Sequence, residues 1–261
     1  MKVKRLLMRL AVLSILYIGL SSSGLPDINK DYVKFGSKLY ASKHELRNFE
    51  YREFLNDLKL TKQNDKFSKC LYDSTQWLVK FKNSYNEPMT NMYHWHLAYD
   101  NYPVVNVTKE AADLYCEWLT TKYNNQTKKK FKKVVFRLPT EIEWKKLSSP
   151  LLGHNLPWYG NYLYENDKTP LANIKVMDYV SGKTDYVSDG GFHTIVTGHY
   201  KANKLGIFDV IGNVAEMTQN GIIKGGSWDN FLDECTIDKS QKFDLPDPRV
   251  GFRVIMEVIE E

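Results

Sequence analysis

Three cysteines and six histidines are the softer ligands available to this 261-residue chain, and their spacing restricts what they can do. Cys70, Cys116 and Cys235 lie far apart. At most one disulfide can form, and no Cys-x-x-Cys pair offers half of a structural zinc site. Cys116 falls inside a strong helical pattern and reads as a small core residue. His94 and His96 are the one close histidine pair, and at i, i+2 they face opposite sides of a strand. His44, His154, His193 and His199 are scattered. Among hard ligands, Asp209 and Glu216 stand at the two ends of a turn containing Gly212. Carboxylates so placed can accept hydrogen bonds from the turn amides. The chain has no P-loop, no dinucleotide glycine fingerprint, no Gly-x-Ser-x-Gly elbow and no His-Glu-x-x-His helix.

The elements that must position these residues are partly visible. Asn48 can cap a helix that carries Tyr51, Phe54, Leu55 and Leu58 on one face. Thr108 can cap a second, with Ala111, Leu114, Tyr115, Trp118 and Leu119 on its stripe and an end near Asn124 and Asn125. Val134–Leu138 reads as a strand. Thr140-x-x-Glu143 then forms a capping box opening a short helix with Trp144 and Leu147. Trp118, Trp144 and Trp228 read as core. Lys128–Lys133 is nearly all basic; with no partners in sequence it reads as a solvated loop rather than a phosphate-binding patch. Residues 151–204 are irregular and rich in Gly, Asn, Asp and Tyr, a stretch that a compact domain tolerates when something such as a metal holds it. Ile222–Trp228 and Val250–Val258 read as strands, the second by its alternation.

Composition narrows the class. At 43% hydrophobic and 13% aromatic the chain can bury a mixed, loop-rich core, which excludes whole-chain disorder. The net charge is +5, and removing Lys2, Lys4, Arg5 and Arg9 leaves +1, so no general nucleic-acid footprint remains. Those four basic residues precede an apolar run, Leu10–Leu20, and the small residues Ser21–Gly24. Residues 1–24 therefore read as a secretory signal. The apolar run is about half the length of a membrane span; an uncleaved N-terminal anchor is the alternative. The expected mature protein is exported, with no transmembrane helix.

Five motifs in register then carry a resemblance. Arg137-Leu138-Pro139-Thr140-Glu141-Ile142-Glu143-Trp144 resembles the signature of the formylglycine-generating enzyme, or sulfatase-modifying factor, family. Pro103–Val107 and Tyr115–Leu119 precede it in the family's order. Gly206–Glu216, Lys224-Gly225-Gly226-Ser227-Trp228 and Gly251-Phe252-Arg253-Val254 follow. The resemblance runs from about Phe35 onward and implies one α+β domain over residues 33–258, the family's loop-rich variant of the C-type lectin fold.

The resemblance also implies sites. The active enzymes oxidise a substrate cysteine with copper and O2, using two cysteines three and eight residues beyond the Ser of the Gly-Gly-Ser motif. Those positions here are Asn230 and Cys235. Cu(I) demands paired soft thiolates, so copper binding is expected to be lost, leaving no confident catalytic residue. The fold's iron enzymes need a further helical domain with a three-histidine site, which does not fit this length. Two calcium sites map better: one on Asp209, Glu216 and the carbonyls of Gly212 and Val214; the other on Asn173, Asp189, the Ile174 carbonyl and a carbonyl of Gly191 or Phe192.

A narrower likeness, in Leu71–Trp77, Tyr85–Pro88 and Tyr93–Val107, is to gliding-motility lipoproteins of the type 9 secretion apparatus in Bacteroidota. Those are regarded as structural and are lipid-anchored, whereas this chain lacks the lipid-accepting Cys. The expectation is a non-catalytic envelope protein of a Gram-negative bacterium, in the periplasm or at the cell surface, that binds or assembles with another envelope protein. The alternative is a copper-dependent oxidoreductase with altered ligands. Lectin-like glycan binding rests on fold analogy alone.

Overall fold

The computed structural model describes residues 25–83, 87–148, 154–158, 160, 162–165, 169–178, 180–185 and 187–261. The expected export segment lies outside them. In chain order the elements begin with α1 (Ile28–Asp31), β1 (Tyr32–Lys34), β2 (Leu39–Ser42), α2 (Asn48–Leu60), α3 (Asn64–Cys70), α4 (Gln76–Lys80) and α5 (Pro88–Asn91). A short 3-10 turn, Leu97–Tyr99, leads to α6 (Lys109–Asn124), β3 (Lys133–Arg137) and α7 (Glu141–Ser148). The remainder is made of short strands: β4 (Tyr164–Glu165), β5 (Thr169–Pro170), β6 (Val176–Asp178), β7 (Lys183–Asp185), β8 (Ala215–Met217), β9 (Ile222–Lys224), β10 (Gln241–Lys242), β11 (Val250–Gly251) and β12 (Ile255–Glu260).

Two four-stranded sheets carry the domain. The first runs β1-β2-β12-β3 and is antiparallel throughout. The second runs β10-β9-β8-β11, with β11 parallel to β8. Helix α6 covers one face of the first sheet and α2 packs on α6, so that Tyr51, Phe54, Tyr115 and Leu119 share one core with Phe136, Phe252 and Met256. A second core gathers Trp144, Leu147, Ile174, Ile207, Ile211 and Cys235. A third is aromatic, with Trp77, Tyr93 and Trp228. This is the mixed, loop-rich single domain that the composition suggested, and residues 154–204 contribute only the hairpins β4–β5 and β6–β7 among their described portion.

Local signals decide several boundaries. Thr108 Oγ1 accepts a hydrogen bond from the Ala111 N–H at 3.0 Å and opens α6 as its residue type demands. In the capping box, the Thr140 N–H donates to Glu143 Oε2 at 2.9 Å and the Glu143 N–H to Thr140 Oγ1 at 3.2 Å. Trp144 and Trp228 are buried, while Trp118 is half-buried with its indole N–H on Asp57 at 2.8 Å.

Four readings change. The N-cap of α2 is Arg47, not Asn48, because Glu50 folds back to accept the Arg47 N–H at 3.0 Å. Asn48 is then free to turn inward and donate to the Tyr93 and Tyr99 carbonyls. The Ile222–Trp228 strand stops at Lys224, because Gly225 and Gly226 take φ of 86° and 67°. The Val250–Val258 strand breaks between β11 and β12, where Arg253 turns inward and is fully buried. His94 and His96 lie on a turn rather than a strand: His94 is buried, and His96 caps the 3-10 turn by accepting from the Ala98 N–H at 3.1 Å. No helix among the described residues is long and apolar enough to cross a membrane.

Candidate functional site

The break between β11 and β12 builds the polar centre of the molecule. The Arg253 Nε donates to both carboxylate oxygens of Glu216, at 3.0 and 2.8 Å, and Nη2 reaches Oε1 at 2.6 Å. Nη1 donates to the Ser42 and Lys43 carbonyls, and Nη2 also to that of Phe208. The Trp144 indole N–H completes Glu216 at 2.8 Å. Three N–H groups therefore converge on the carboxylate, the Nε hydrogen shared between its two oxygens. The pair joins β8, the 251–254 segment, the β2 exit and the loop before Asp209, all far apart in sequence.

Two further carboxylates lie beside this pair. Asp209 takes φ of 52° and accepts the Gly198 N–H on Oδ2, while its buried Oδ1 has no hydrogen-bond partner. Burial pushes the Asp209 carboxyl up to about 6. Glu45 is buried and accepts from Asn213 Nδ2 at 2.7 Å and the Val214 N–H at 3.2 Å. Burial, then the charges of Asp209 and Glu216, raises Glu45 well above the usual carboxylate range. Nothing local in sequence marks Glu45: its partners are 168 and 169 residues away.

Asn213 connects this centre to the second expected calcium site. Its Oδ1 accepts from Asn173 Nδ2 at 3.1 Å and the Ile195 N–H at 2.9 Å, and its own N–H donates to the Asn173 carbonyl at 2.8 Å. The fit is close at Gly212 (φ 75°), where a Cβ would come within 2.2 Å of the Asn173 carbonyl oxygen. At the second site Asp189 accepts from the Ile174 N–H at 2.7 Å and the Gly191 N–H at 3.2 Å, and burial pushes it up to about 6. Asn173 is buried, and its Oδ1 lacks a partner. Gly191 closes on that amide, with room for no more than a tight methyl, while the Phe192 ring is exposed.

Fit to calcium therefore differs between the two. Asn173 Oδ1 and Asp209 Oδ1 are buried oxygens with nothing to accept from, which is what a hard cation would correct. Glu216 already faces the Arg253 guanidinium and accepts three N–H groups, so it is poorly placed to hold a cation while Arg253 stays there. Among the described residues, no group of three His, Cys, Asp or Glu side chains converges as metal holders; any site here draws on Asn173 and on carbonyl oxygens.

The positions of the expected copper cysteines are built differently again. Asn230 Oδ1 accepts from the Ser227 N–H at 3.1 Å and from Ser227 Oγ at 2.7 Å. The side chain thus caps its own turn. Cys235 is fully buried, its sulfur 3.8 Å from the Asn230 carbonyl, and burial pushes the thiol far up. A Cβ on Gly226 would come within 2.3 Å of that sulfur, so the Gly-Gly-Ser turn lies directly over it. A groove of about 1000 Å³ runs nearby, lined by Leu156, Leu163, Val176, Phe231 and Leu232 among others, and Cys235 does not open into it. Cys70 and Cys116 are buried and free like Cys235.

Comparison with known proteins agrees with this architecture. No curated protein sequence matches the chain significantly. Among solved structures, PvdO from Pseudomonas aeruginosa superimposes with a TM-score of 0.55 at 17% identity, covering 84% of this chain and 80% of that one. CarF gives a TM-score of 0.54 at 16% identity, with 84% and 86% covered. Treponema denticola variable protein 1 gives 0.53 at 17%, with 84% of each covered. At these identities the likeness concerns the fold. The sulfatase-modifying factor enzyme 1-like domain matches residues 26–258, nearly the whole described domain, and the chain belongs to that family.

Proposed function

We propose that this protein is an exported, non-catalytic member of its family that serves as a binding or assembly module in the cell envelope. The observation that carries the reading is Cys235: one buried, protonated thiol under Gly226, beside an Asn230 side chain committed to capping Ser227. A thiolate is the copper ligand and the nucleophile, and this site neither favours it nor supplies the second. Incubation with a Cys-x-Pro-x-Arg peptide, copper and O2 is expected to give no aldehyde by mass spectrometry. An aldehyde product abolished by Cys235→Ser would restore the copper-dependent oxidoreductase.

The groove beside Phe231 and the loops of residues 154–204 give this module its contact surface, and an envelope protein is the partner class. The gliding-motility reading rests on Leu71–Trp77, Tyr85–Pro88 and Tyr93–Val107. The first segment runs as coil and turn into the start of α4, where Trp77 packs against Tyr93 and Trp228, and Tyr85 and Asn86 lie outside the described residues. Export to the periplasm or cell surface rests on the basic and apolar succession of residues 1–24. A mass of the secreted protein that still includes Met1–Gly24 counts against cleavage.

Calcium is the cofactor this reading includes. Asn173, Asp189, the Ile174 carbonyl and a carbonyl of Gly191 or Phe192 would hold one ion, which would fix the irregular loops they come from. Asp209 with the Gly212 and Val214 carbonyls would hold another, Glu216 joining only if Arg253 released it. Metal that binds only the folded state stabilises it by about 2.7 kcal/mol at a hundredfold excess over Kd. A chelator is expected to lower Tm, with Asp189→Asn removing most of the difference and Glu216→Gln leaving the calcium stoichiometry unchanged. Identical melting curves with and without chelator, in protein shown by elemental analysis to have lost its calcium, end the proposal.

A further inference from the structure

The Lys128–Lys133 run has no partners in its own stretch of sequence, but the fold gives it some. Phe131 anchors the loop: it is buried, and its ring lies 5.4 Å from that of Tyr40 on β2. Lys130 is held above both rings, its Nζ 5.6 Å from the Tyr40 centroid and 5.3 Å from that of Phe131. From the other side Lys34, on the edge strand β1, directly opposite Tyr40 in the register, brings its Nζ to 6.0 Å from the same ring. Lys130 also donates to Asn29 Oδ1 at 2.8 Å, which places α1 and Lys30 alongside. Lys38 lies in the β1–β2 turn and Lys128 just before the anchored loop, both exposed.

Of the acids nearby, Glu260 pairs with Lys132 at 3.6 Å, and Glu257 with Arg137 at 3.0 Å. Asp27 and Asp31 only accept backbone N–H groups, those of Asn29 and Asp27; they keep their charge and are outnumbered by the lysines. What remains is a lysine-rich face around one half-exposed tyrosine, on a domain whose charge without the first ten residues is close to neutral. Clustered Lys side chains on flexible stems, with an aromatic ring between them, match a surface of many mobile anions better than a single bidentate oxyanion.

The geometry points to this face, Lys34, Lys38, Lys128 and Lys130 around Tyr40, as a docking surface for an anionic phospholipid bilayer. The contact is electrostatic and peripheral. Lysines sit at the headgroup phosphates, and Tyr40 lies at their level. Such binding depends on the negative surface potential and fades as salt shortens the Debye length. It deepens the envelope reading by saying which side of the module faces the membrane. It is nevertheless independent of whether Cys235 is inert.

The test is co-sedimentation of the proposed exported form, residues 25–261, with phosphatidylcholine vesicles, with or without 30 mol% phosphatidylglycerol. Wild type is expected to bind the anionic vesicles at least tenfold more than the neutral ones at low salt, and to lose that excess at 0.5 M NaCl. The triple variant Lys34→Gln, Lys128→Gln, Lys130→Gln is expected to lose most of the excess, with an unchanged melting temperature. Neutralising three lysines elsewhere, by Lys59→Gln, Lys62→Gln, Lys66→Gln, is expected to leave it intact. Equal loss in both triple variants would reduce the effect to net charge and overturn the proposal. So would equal binding to both vesicle types, or equally tight retention on duplex DNA at the same salt.

Discussion

Arg253→Met is expected to cost about 3–5 kcal/mol of folding stability, the range for removing one partner of a buried ion pair. The side chain is fully buried and satisfies Glu216 and three backbone carbonyls. Methionine fills much of the volume and replaces none of the donors. Glu216 is left with one indole N–H, next to Asp209 and Glu45, and the carbonyls of Ser42, Lys43 and Phe208 lose their donor in the interior. Urea unfolding measures the loss. If Arg253→Met fails to accumulate, Arg253→Lys, which keeps one charge but not the fork, is expected to retain the fold with a smaller loss. The double variant Arg253→Met with Glu216→Leu is expected to recover part of the cost, because it removes the uncompensated charge. A loss below about 1 kcal/mol in Arg253→Met would show that the pair is far less buried in solution than in the structure.

Acid is expected to destabilise the fold through His94. The ring is buried, stacked on Tyr72 at 3.8 Å and edge-on to Tyr93, and neither nitrogen has a hydrogen-bond partner. Burial first, then the neighbouring Arg52 guanidinium, lowers its pKa from 6.5 to about 3. The folded state therefore keeps the ring neutral, whereas the unfolded chain takes up a proton below pH 6.5. Stability from this residue is complete above that pH and is lost progressively as the pH falls toward 3. Each pH unit inside the window is worth about 1.4 kcal/mol, so pH 4.5 costs roughly 2–3 kcal/mol. Buried carboxyls such as Glu45 and Asp209 act in the opposite direction, so the useful quantity is the difference from His94→Phe. That variant keeps the stacking and cannot titrate. Its stability is expected to fall less than wild type between pH 6.5 and 4.5; parallel curves would exclude the histidine as the cause.

What was legible in the sequence had causes within a turn or two of the residue concerned. Thr108 caps α6 and Thr140 pairs with Glu143 because donor and acceptor are three residues apart, and the helix stripes follow from period alone. The five motifs placed the domain and its family. What the sequence obscured is held from afar. Arg253 stands in an alternating run that reads as strand, and only Glu216, 37 residues away, explains why it turns inward. Glu45 sits between His44 and Leu46 without any pattern, and its role exists only once Asn213 arrives. Asn48 has the residue type of a cap, yet Glu50 takes the capping role and leaves it to bind two carbonyls across the aromatic core. The lysine run looked solvated because its companions, Lys34 and Tyr40, come from another hairpin.

Strand β12 lies inside the first sheet, between β2 and β3. Its residues leave the ribosome after every other element described. Until Ile255–Glu260 emerge, the β1–β2 hairpin and β3 have no common neighbour; the contact between Arg137 and Glu257 spans 120 residues. Arg253, which locks the polar centre, is made just before them. The main sheet therefore cannot close before β12 has been made, and loop-closure entropy slows the step further. A domain whose central strand comes last among its elements gains its main sheet in one late step, so losing β12 separates the β1–β2 hairpin from β3.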